Sequence, residues 1–173
     1  LRAELAAATR SGWDKPANRA AAIGRLKRFL EDGRAHAAGR LGGSGGGLEA
    51  ARCLSSVTGA LVRALFDSIA ADHHDAGSEA PGLAVCATGG FGAGALAPQS
   101  DVDLLFIRGT RPPEGYETII ERTHYALWDT GLSVGGGAVR TVGDAIALAQ
   151  EDVSERTALL DLRLISGDAR LAR

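Results

Sequence analysis

The chain has 173 residues, of which 45% are hydrophobic, so it is long and apolar enough to bury the core of one domain, alone or with a helical extension. Its formal net charge is −2, from 19 basic and 21 acidic residues. It therefore lacks the basic surplus that holds a nucleic-acid backbone, and we expect no nucleic acid as a partner.

The cysteines and the ends of the chain indicate its compartment. The two cysteines, Cys53 and Cys86, have neither CxxC nor Cys/His spacing, so we expect small buried thiols in a reducing cytoplasm. No run reaches the length that we expect of a membrane span, and the start lacks the order of a signal peptide, so we expect no membrane. The chain has no methionine and stops without a helix stop signal, which predicts a fragment of a longer chain.

The first half predicts two long amphipathic helices, from Pro16 to about Ala37 and from Leu48 to about Ala71, because apolar residues recur at steps of three and four. The glycine-rich run Gly42–Gly47 predicts a flexible connector, since no Gly-Lys-Ser/Thr follows as a P-loop requires. For His73–Asp75 we favour a solvated helix end over a metal site. We assign residues 1–80 to an N-terminal helical segment.

The second half opens on a glycine turn between two apolar strands. Leu83–Ala87 predicts a buried strand, and the glycine pair Gly89–Gly90 follows it almost directly. The next strand opens with Asp101 and Asp103. Because side chains alternate along a strand, both carboxylates point to one side and Val102 points into the fold.

Two carboxylates that converge repel each other, and a divalent cation keeps both ionised, Mg²⁺ being preferred where oxygen ligands meet phosphates. Backbone amides at Gly89 and Gly90 can approach phosphates closely because neither residue has a Cβ. Ser100 has a hydroxyl for phosphate, with a cap or turn role as the equal alternative. The pattern predicts nucleotidyl transfer; an ordinary turn followed by exposed acids is the alternative.

The remaining pattern completes an α/β (α+β) fold in which helices precede a sheet, and we assign residues 81–173 to the second domain. The predicted elements are a helix over Tyr116–Asp129 ended by Gly131, one strand over Leu132–Val142 with a bulge or close approach at Gly135–Gly137, a helix capped by Thr141 and Asp144 through about Gln150, and a last helix capped by Ser154 that runs through Leu164.

Ala87–Phe106 resembles the nucleotidyltransferase signature of the bacterial protein-PII uridylyltransferase/uridylyl-removing enzymes. Ala126–Leu132, Val139–Val142 and Arg156–Asp168 resemble later blocks of that family in the same order. The resemblance covers about half of the chain clearly and the helical half loosely. It implies the N-terminal nucleotidyltransferase region, with a mixed sheet and helices.

The resemblance also implies a reaction, namely Mg²⁺-dependent transfer of UMP from UTP to a tyrosine of the signalling protein PII, with glutamine as the regulatory cue. It implies that Asp101 and Asp103 are metal-binding catalytic acids and that Gly89 and Gly90 contact the nucleotide. The removal reaction and glutamine sensing belong to later domains of that family, before which this chain ends.

The chain departs from the family pattern at several positions. Ala93 and Ala95 stand where the family commonly has an arginine and a glutamate, and Gly135–Gly137 replace a segment with a histidine. The strand there carries no third carboxylate, and for Asp161, the nearest later candidate, we favour a structural role. Two alternatives stay open: an adenylyltransferase-type domain that modifies glutamine synthetase, and a catalytically weakened regulatory module that binds nucleotide.

Overall fold

The structure is a computed structural model that describes residues 1–42, 46–73 and 82–173. Its α-helices are α1 (Arg2–Ala8), α2 (Pro16–Gly39), α3 (Gly46–His73), α4 (Gly89–Gly92), α5 (Tyr116–Asp129), α6 (Val142–Glu151) and α7 (Val153–Leu160). Its strands are β1 (Leu83–Ala87), β2 (Val102–Arg108), β3 (Val134–Thr141) and β4 (Arg163–Gly167), and a short 3₁₀ helix covers Ala169–Ala172.

The four strands form one mixed sheet in the order β3-β2-β1-β4. β1 is antiparallel to both of its neighbours, β2 and β4, whereas β2 and β3 are parallel. The α/β fold with a mixed sheet after a helical segment is therefore confirmed. Since β1 and β2 are antiparallel, the end of β1 lies beside the start of β2, and the glycine turn and the acids meet at the same end of these two central strands.

Side-chain alternation along β2 divides the core in two. Val102, Leu104 and Phe106 are buried in the main cluster, which also holds apolar side chains of α1, α2, α3 and α5. Leu105 and Ile107 point to the other face and belong to a smaller cluster. The main cluster contains side chains from both sides of the domain boundary predicted between residues 80 and 81. Those two positions lie outside the described residues, and the division into two domains stays a prediction.

Helix α3 corrects one expectation from the sequence. Helix α3 (Gly46–His73) is long and apolar enough to span a membrane, whereas we expected no run of that length. However, 61% of its apolar window is buried inside the fold, where Leu61 and Leu65 pack fully covered in the main core. A core helix passes the same test, so this is weak evidence for a membrane.

The start of α3 differs from the prediction as well. Gly46 and Gly47 belong to the first turn of the helix and not to a connector, because a helix can begin in glycine when later turns are held by packing. The rest of the predicted connector that precedes them, residues 43–45, lies outside the described residues. His73 is the last residue of α3, and the predicted helix end at residues 74–75 also lies outside them.

The predicted last helix is wrong at both ends. Asp152, not Ser154, is the N-cap of α7, and its Oδ1 accepts hydrogen bonds from the amides of Ser154 at 2.7 Å and Glu155 at 3.3 Å. The helix stops at Leu160, and Leu164 lies in β4, where it pairs with Cys86 of β1. The leucine spacing fits a helix, but pairing with a buried strand overrides that preference.

Candidate active site

The glycine turn after β1 lies directly against Asp103. The amide of Thr88 donates to the carbonyl of Asp103 at 3.2 Å, which extends the β1–β2 pairing by one bond. Gly89 has a φ of +56°, and a Cβ built on it would lie 3.1 Å from Asp103 Oδ2. Glycine fits both demands, since it adopts positive φ freely and leaves room for the carboxylate. The structure thus brings together two of the predicted site residues.

Strand β3 closes the other side of the acids. Asp103 is paired with Gly135 in the parallel register. A Cβ built on Gly135 would lie 2.7 Å from Asp103 Oδ1 and 3.4 Å from the Cβ of Asp101. Asp101 and Asp103 therefore occupy one patch, which we call the acidic patch, between Gly89 and Gly135. Val102 between them is buried, as the alternation predicts.

Ion pairs within the described residues do not balance the charge of the acidic patch. The pKa of Asp103 is raised, first by burial and then by the charge of Asp101. No ion pair in the described part of the chain involves either carboxylate. The fold by itself disfavours the ionised form of Asp103, and a bound divalent cation would offset that cost.

The donor set fits Mg²⁺ better than a metal held by protein alone. Within residues 1–42, 46–73 and 82–173, no group of three or more His, Cys, Asp or Glu side chains is arranged to hold a metal ion. Mg²⁺ is usually bound through one or two carboxylates, with waters and substrate phosphates completing its shell. Asp101 and Asp103 supply such a pair, and their role as ligands stays a prediction.

Helix α4 presents the turn beside the acidic patch. Its first amides, at Gly89 and Gly90, have no acceptor within the helix, as in any first turn. Gly90 is exposed, and a Cβ built on it would face the carbonyl of Ala95 at 3.2 Å and not the carboxylates. The amides of Ala93 and Ala95 donate hydrogen bonds to the carbonyls of Gly89 and Gly90, respectively, at 2.9 Å each. The two alanines therefore leave the backbone of this turn intact.

The hydrogen bonds of Ser100 lie within the turn that precedes β2. Its exposed hydroxyl donates to the carbonyl of Asp101 at 3.3 Å, and its amide donates to Ala97 at 3.1 Å. Ser100 also lines a cavity of about 510 Å³ that is bounded by α2 and α3. These contacts favour the turn role that the sequence left open, while the predicted contact with phosphate stays a prediction.

Strand β3 has the irregularity that its three glycines predict. Leu104 pairs with Gly136 and Leu105 with Ala138, so Gly137 is an extra residue, and its φ is +73°. A Cβ on Gly137 would collide with the imidazole of His124. The predicted bulge is confirmed, and another backbone approaches closely at Gly136, where a Cβ would lie 3.0 Å from the carbonyl oxygen of Leu104.

The residue that approaches the bulge, His124 of α5, was not singled out in the sequence. Its ring lies between those of Phe106 and Trp128, with centroids 5.1 and 6.0 Å away. Burial lowers the pKa of the imidazole, and a contact of Nδ1 with the carbonyl of Ile120 at 3.2 Å partly offsets that shift. The surroundings indicate a neutral packing side chain.

Two further residues approach α4 from the segment after α7. Asp161 is exposed at the end of α7, and its carbonyl lies so close to Gly92 that a Cβ there would collide with it. Arg163 donates hydrogen bonds to backbone carbonyls of α4. Only the fold reveals these contacts, because more than 65 residues separate the partners in sequence.

The mixed sheet brings a glycine turn beside the carboxylates of Asp103, in β2, and Asp101, just before it, which is the arrangement that the sequence analysis expects of a nucleotidyltransferase-type domain. No family model matches the chain. It is 43% identical over 175 residues to the bifunctional uridylyltransferase/uridylyl-removing enzyme of Phenylobacterium zucineum, a match that covers 99% of this chain and 19% of that protein. The protein of the same name from Caulobacter vibrioides is 42% identical over 99% of this chain and 18% of its own length.

The corresponding protein of Gluconobacter oxydans is 45% identical over 127 residues, which is 73% of this chain and 13% of that protein. The chain is thus homologous, over nearly its whole length, to a fragment of the bifunctional uridylyltransferase/uridylyl-removing enzymes. The resemblance found in the sequence is confirmed. The chain spans about a fifth of the length of the first two relatives.

Proposed function

We propose that this chain is the nucleotidyltransferase part of a larger cytoplasmic enzyme that transfers UMP from UTP to a tyrosine of protein PII. The observation that carries the proposal is the contact of the glycine turn at Gly89 with the acidic patch, Asp101 and Asp103. The names of the relatives support the uridylyl group. PII as acceptor and glutamine as cue rest on the family resemblance.

In this proposal Asp101 and Asp103 hold Mg²⁺, which supplies charge neutralisation for the phosphates. The amides at Gly89 and Gly90 donate to phosphate oxygens, and Ser100 is the third nucleotide contact. The acceptor oxygen forms a bond to the α-phosphorus as the bond to pyrophosphate breaks, and the proton of the acceptor hydroxyl passes to water. The chain itself mainly orients the triphosphate, which is where most of the catalysis of phosphoryl-type transfers arises.

Calorimetric titration with UTP and with ATP, each with and without Mg²⁺, tests the proposal. We expect UTP to bind in a Mg²⁺-dependent way and Asp101→Asn to weaken that binding at least about tenfold, since a metal ligand is lost. Asp32→Asn is the matched control, because Asp32 is an exposed carboxylate on α2 and undergoes the same chemical change. Its affinity for UTP is expected to equal that of the unchanged chain.

Other outcomes separate the alternatives. An equal loss of UTP affinity in Asp101→Asn and Asp32→Asn would refute the proposed site. UTP binding that does not depend on Mg²⁺ would refute it as well. Preference for ATP selects an adenylyltransferase of the type that modifies glutamine synthetase. Binding of UTP without labelled-UMP transfer to PII in the intact protein selects the weakened regulatory module.

A further inference from the structure

Arg163 joins three elements of the fold at the end of the glycine turn. From the start of β4, its Nη2 donates to the carbonyl of Phe91 at 2.6 Å and its Nε donates to the carbonyl of Gly92 at 3.0 Å. Nη2 also reaches Ser55 Oγ of α3 at 3.3 Å. The guanidinium lies over the ring of Phe91, 5.2 Å from its centroid. Both carbonyls belong to the last turn of α4.

The guanidinium of Arg163 is paired with backbone carbonyls, whereas a partly buried arginine is more often paired with a carboxylate. No carboxylate lies within ion-pair distance of Arg163 in the part of the chain that the structure describes. Burial, and then the charge of Arg63, lower the pKa of the guanidinium. The planar fork of arginine matches two adjacent carbonyls, and a positive charge is favoured at the end of a helix where carbonyls have no partner.

Helix α4 is thereby held at both ends. At its start, the amide of Thr88 is bonded to the carbonyl of Asp103. At its end, Arg163 holds two carbonyls and the buried hydroxyl of Ser55 reaches the carbonyl of Phe91 at 3.4 Å. Gly92 packs against the carbonyl of Asp161 with no room for a Cβ. A four-residue helix has too few internal hydrogen bonds to fix its own position, so these external contacts must set it.

We propose that Arg163 is a positioning residue for nucleotide binding: by holding the last turn of α4, it sets the amides of Gly89 and Gly90 relative to the acidic patch. The inference rests on the proposed function, because it assigns those amides to phosphate. The hydrogen bonds of Arg163 go to the last turn of α4 and to Ser55, so its effect on the nucleotide would pass through α4. It is a residue to which the sequence pattern assigned no role.

The test compares Arg163→Lys with Arg63→Lys. Lysine keeps the charge at position 163 but cannot bond two carbonyls through a rigid fork. Arg63 is the matched control because its Nε donates to a backbone carbonyl too, that of Ile165 at 2.7 Å, without touching α4. The readouts are the Kd for Mg²⁺-UTP, the thermal midpoint, and hydrogen exchange of the amides of residues 89–95 without ligand.

We expect Arg163→Lys to raise the Kd for Mg²⁺-UTP roughly 10–100-fold, the usual effect of losing a supporting contact, and to speed exchange at residues 89–95. Arg63→Lys is expected to change neither. A lower thermal midpoint with an unchanged Kd overturns the proposal, since it would mean a purely structural role. If the unchanged chain binds no UTP, the proposed function fails; exchange then decides the positioning role, and unchanged exchange in Arg163→Lys overturns it.

Discussion

Gly135→Ala is the sharpest perturbation of the acidic patch, because it adds one methyl group and removes no charge. The new Cβ would lie 2.7 Å from Asp103 Oδ1, whereas ordinary contact begins at 3.4 Å. The carboxylate oxygen must therefore retreat by about 0.7 Å. Mg²⁺ holds its oxygen ligands at about 2.1 Å and tolerates deviations of only about 0.2 Å, so this displacement would exceed what a Mg²⁺ ion held by Asp103 accepts.

The fold, in contrast, accepts the change. The backbone of Gly135 has no positive φ, and the atom that must move is the end of a side chain that is not fully buried. We expect the free energy of unfolding to stay within about 1 kcal/mol, because alanine also lowers the entropy of the unfolded chain. Mg²⁺-dependent UTP binding is expected to weaken, and transfer in the intact protein to slow on the order of a hundredfold.

Isothermal titration and a urea unfolding curve measure the two effects separately. Gly143→Ala is the matched control, because its Cβ would meet only Thr141 Oγ1 at 3.8 Å, an ordinary contact. If Gly135→Ala folds normally and binds Mg²⁺-UTP as tightly as the control does, the metal is not held on the Gly135 side of Asp103. The reasoning from the spacing of the two strands would then be refuted.

Two further predictions concern groups outside the acidic patch. The pKa of His124 is lowered from 6.5 in the fold, so the unfolded chain takes up the proton first and the free energy of unfolding falls as the pH drops below 6.5. We expect His124→Gln to flatten this part of a plot of the urea midpoint against pH. An unchanged slope in that variant would contradict the prediction. Burial raises the pKa of the Cys86 thiol to about 12. A thiol reagent is therefore expected to modify only Cys53 in the native chain and both thiols in denaturant. Labelling of Cys86 in the native chain would show that β1 opens.

The sequence was sufficient for features that depend on neighbouring residues. Asp101 and Asp103 share one side because alternation is a local property of any strand, and the capping box of α6 was likewise readable from Thr141 and Asp144. Leu164 was misassigned because an apolar run fits a helix and a buried strand equally well until its pairing partner is known.

Contacts between segments that are distant in sequence could not be predicted from local patterns of residue types. Nothing in the sequence places Gly135 beside Asp103, because that contact depends on the order of strands in the sheet. Arg163 and His124 were missed for the same reason. Arg163 bonds backbone carbonyls of α4, and His124 contacts Phe106 of β2 and Gly137 of β3; these partners lie on other elements, so the spacing of residue types does not pair them.

The glycines on both sides of Asp103 bear on how the proposed site would bind a metal and a nucleotide. Gly89 and Gly135 leave the carboxylate uncovered by side chains, and the pKa of Asp103 is raised by burial and by Asp101. If the acidic patch holds Mg²⁺ as proposed, its two carboxylates would supply only a small part of the oxygen ligands, and phosphate oxygens would supply others. Metal and nucleotide are therefore expected to bind as one unit, since each offsets a cost that the other would meet alone. In the proposed site, Arg163 would act on this unit indirectly, because its hydrogen bonds to α4 would fix where the phosphates meet the metal.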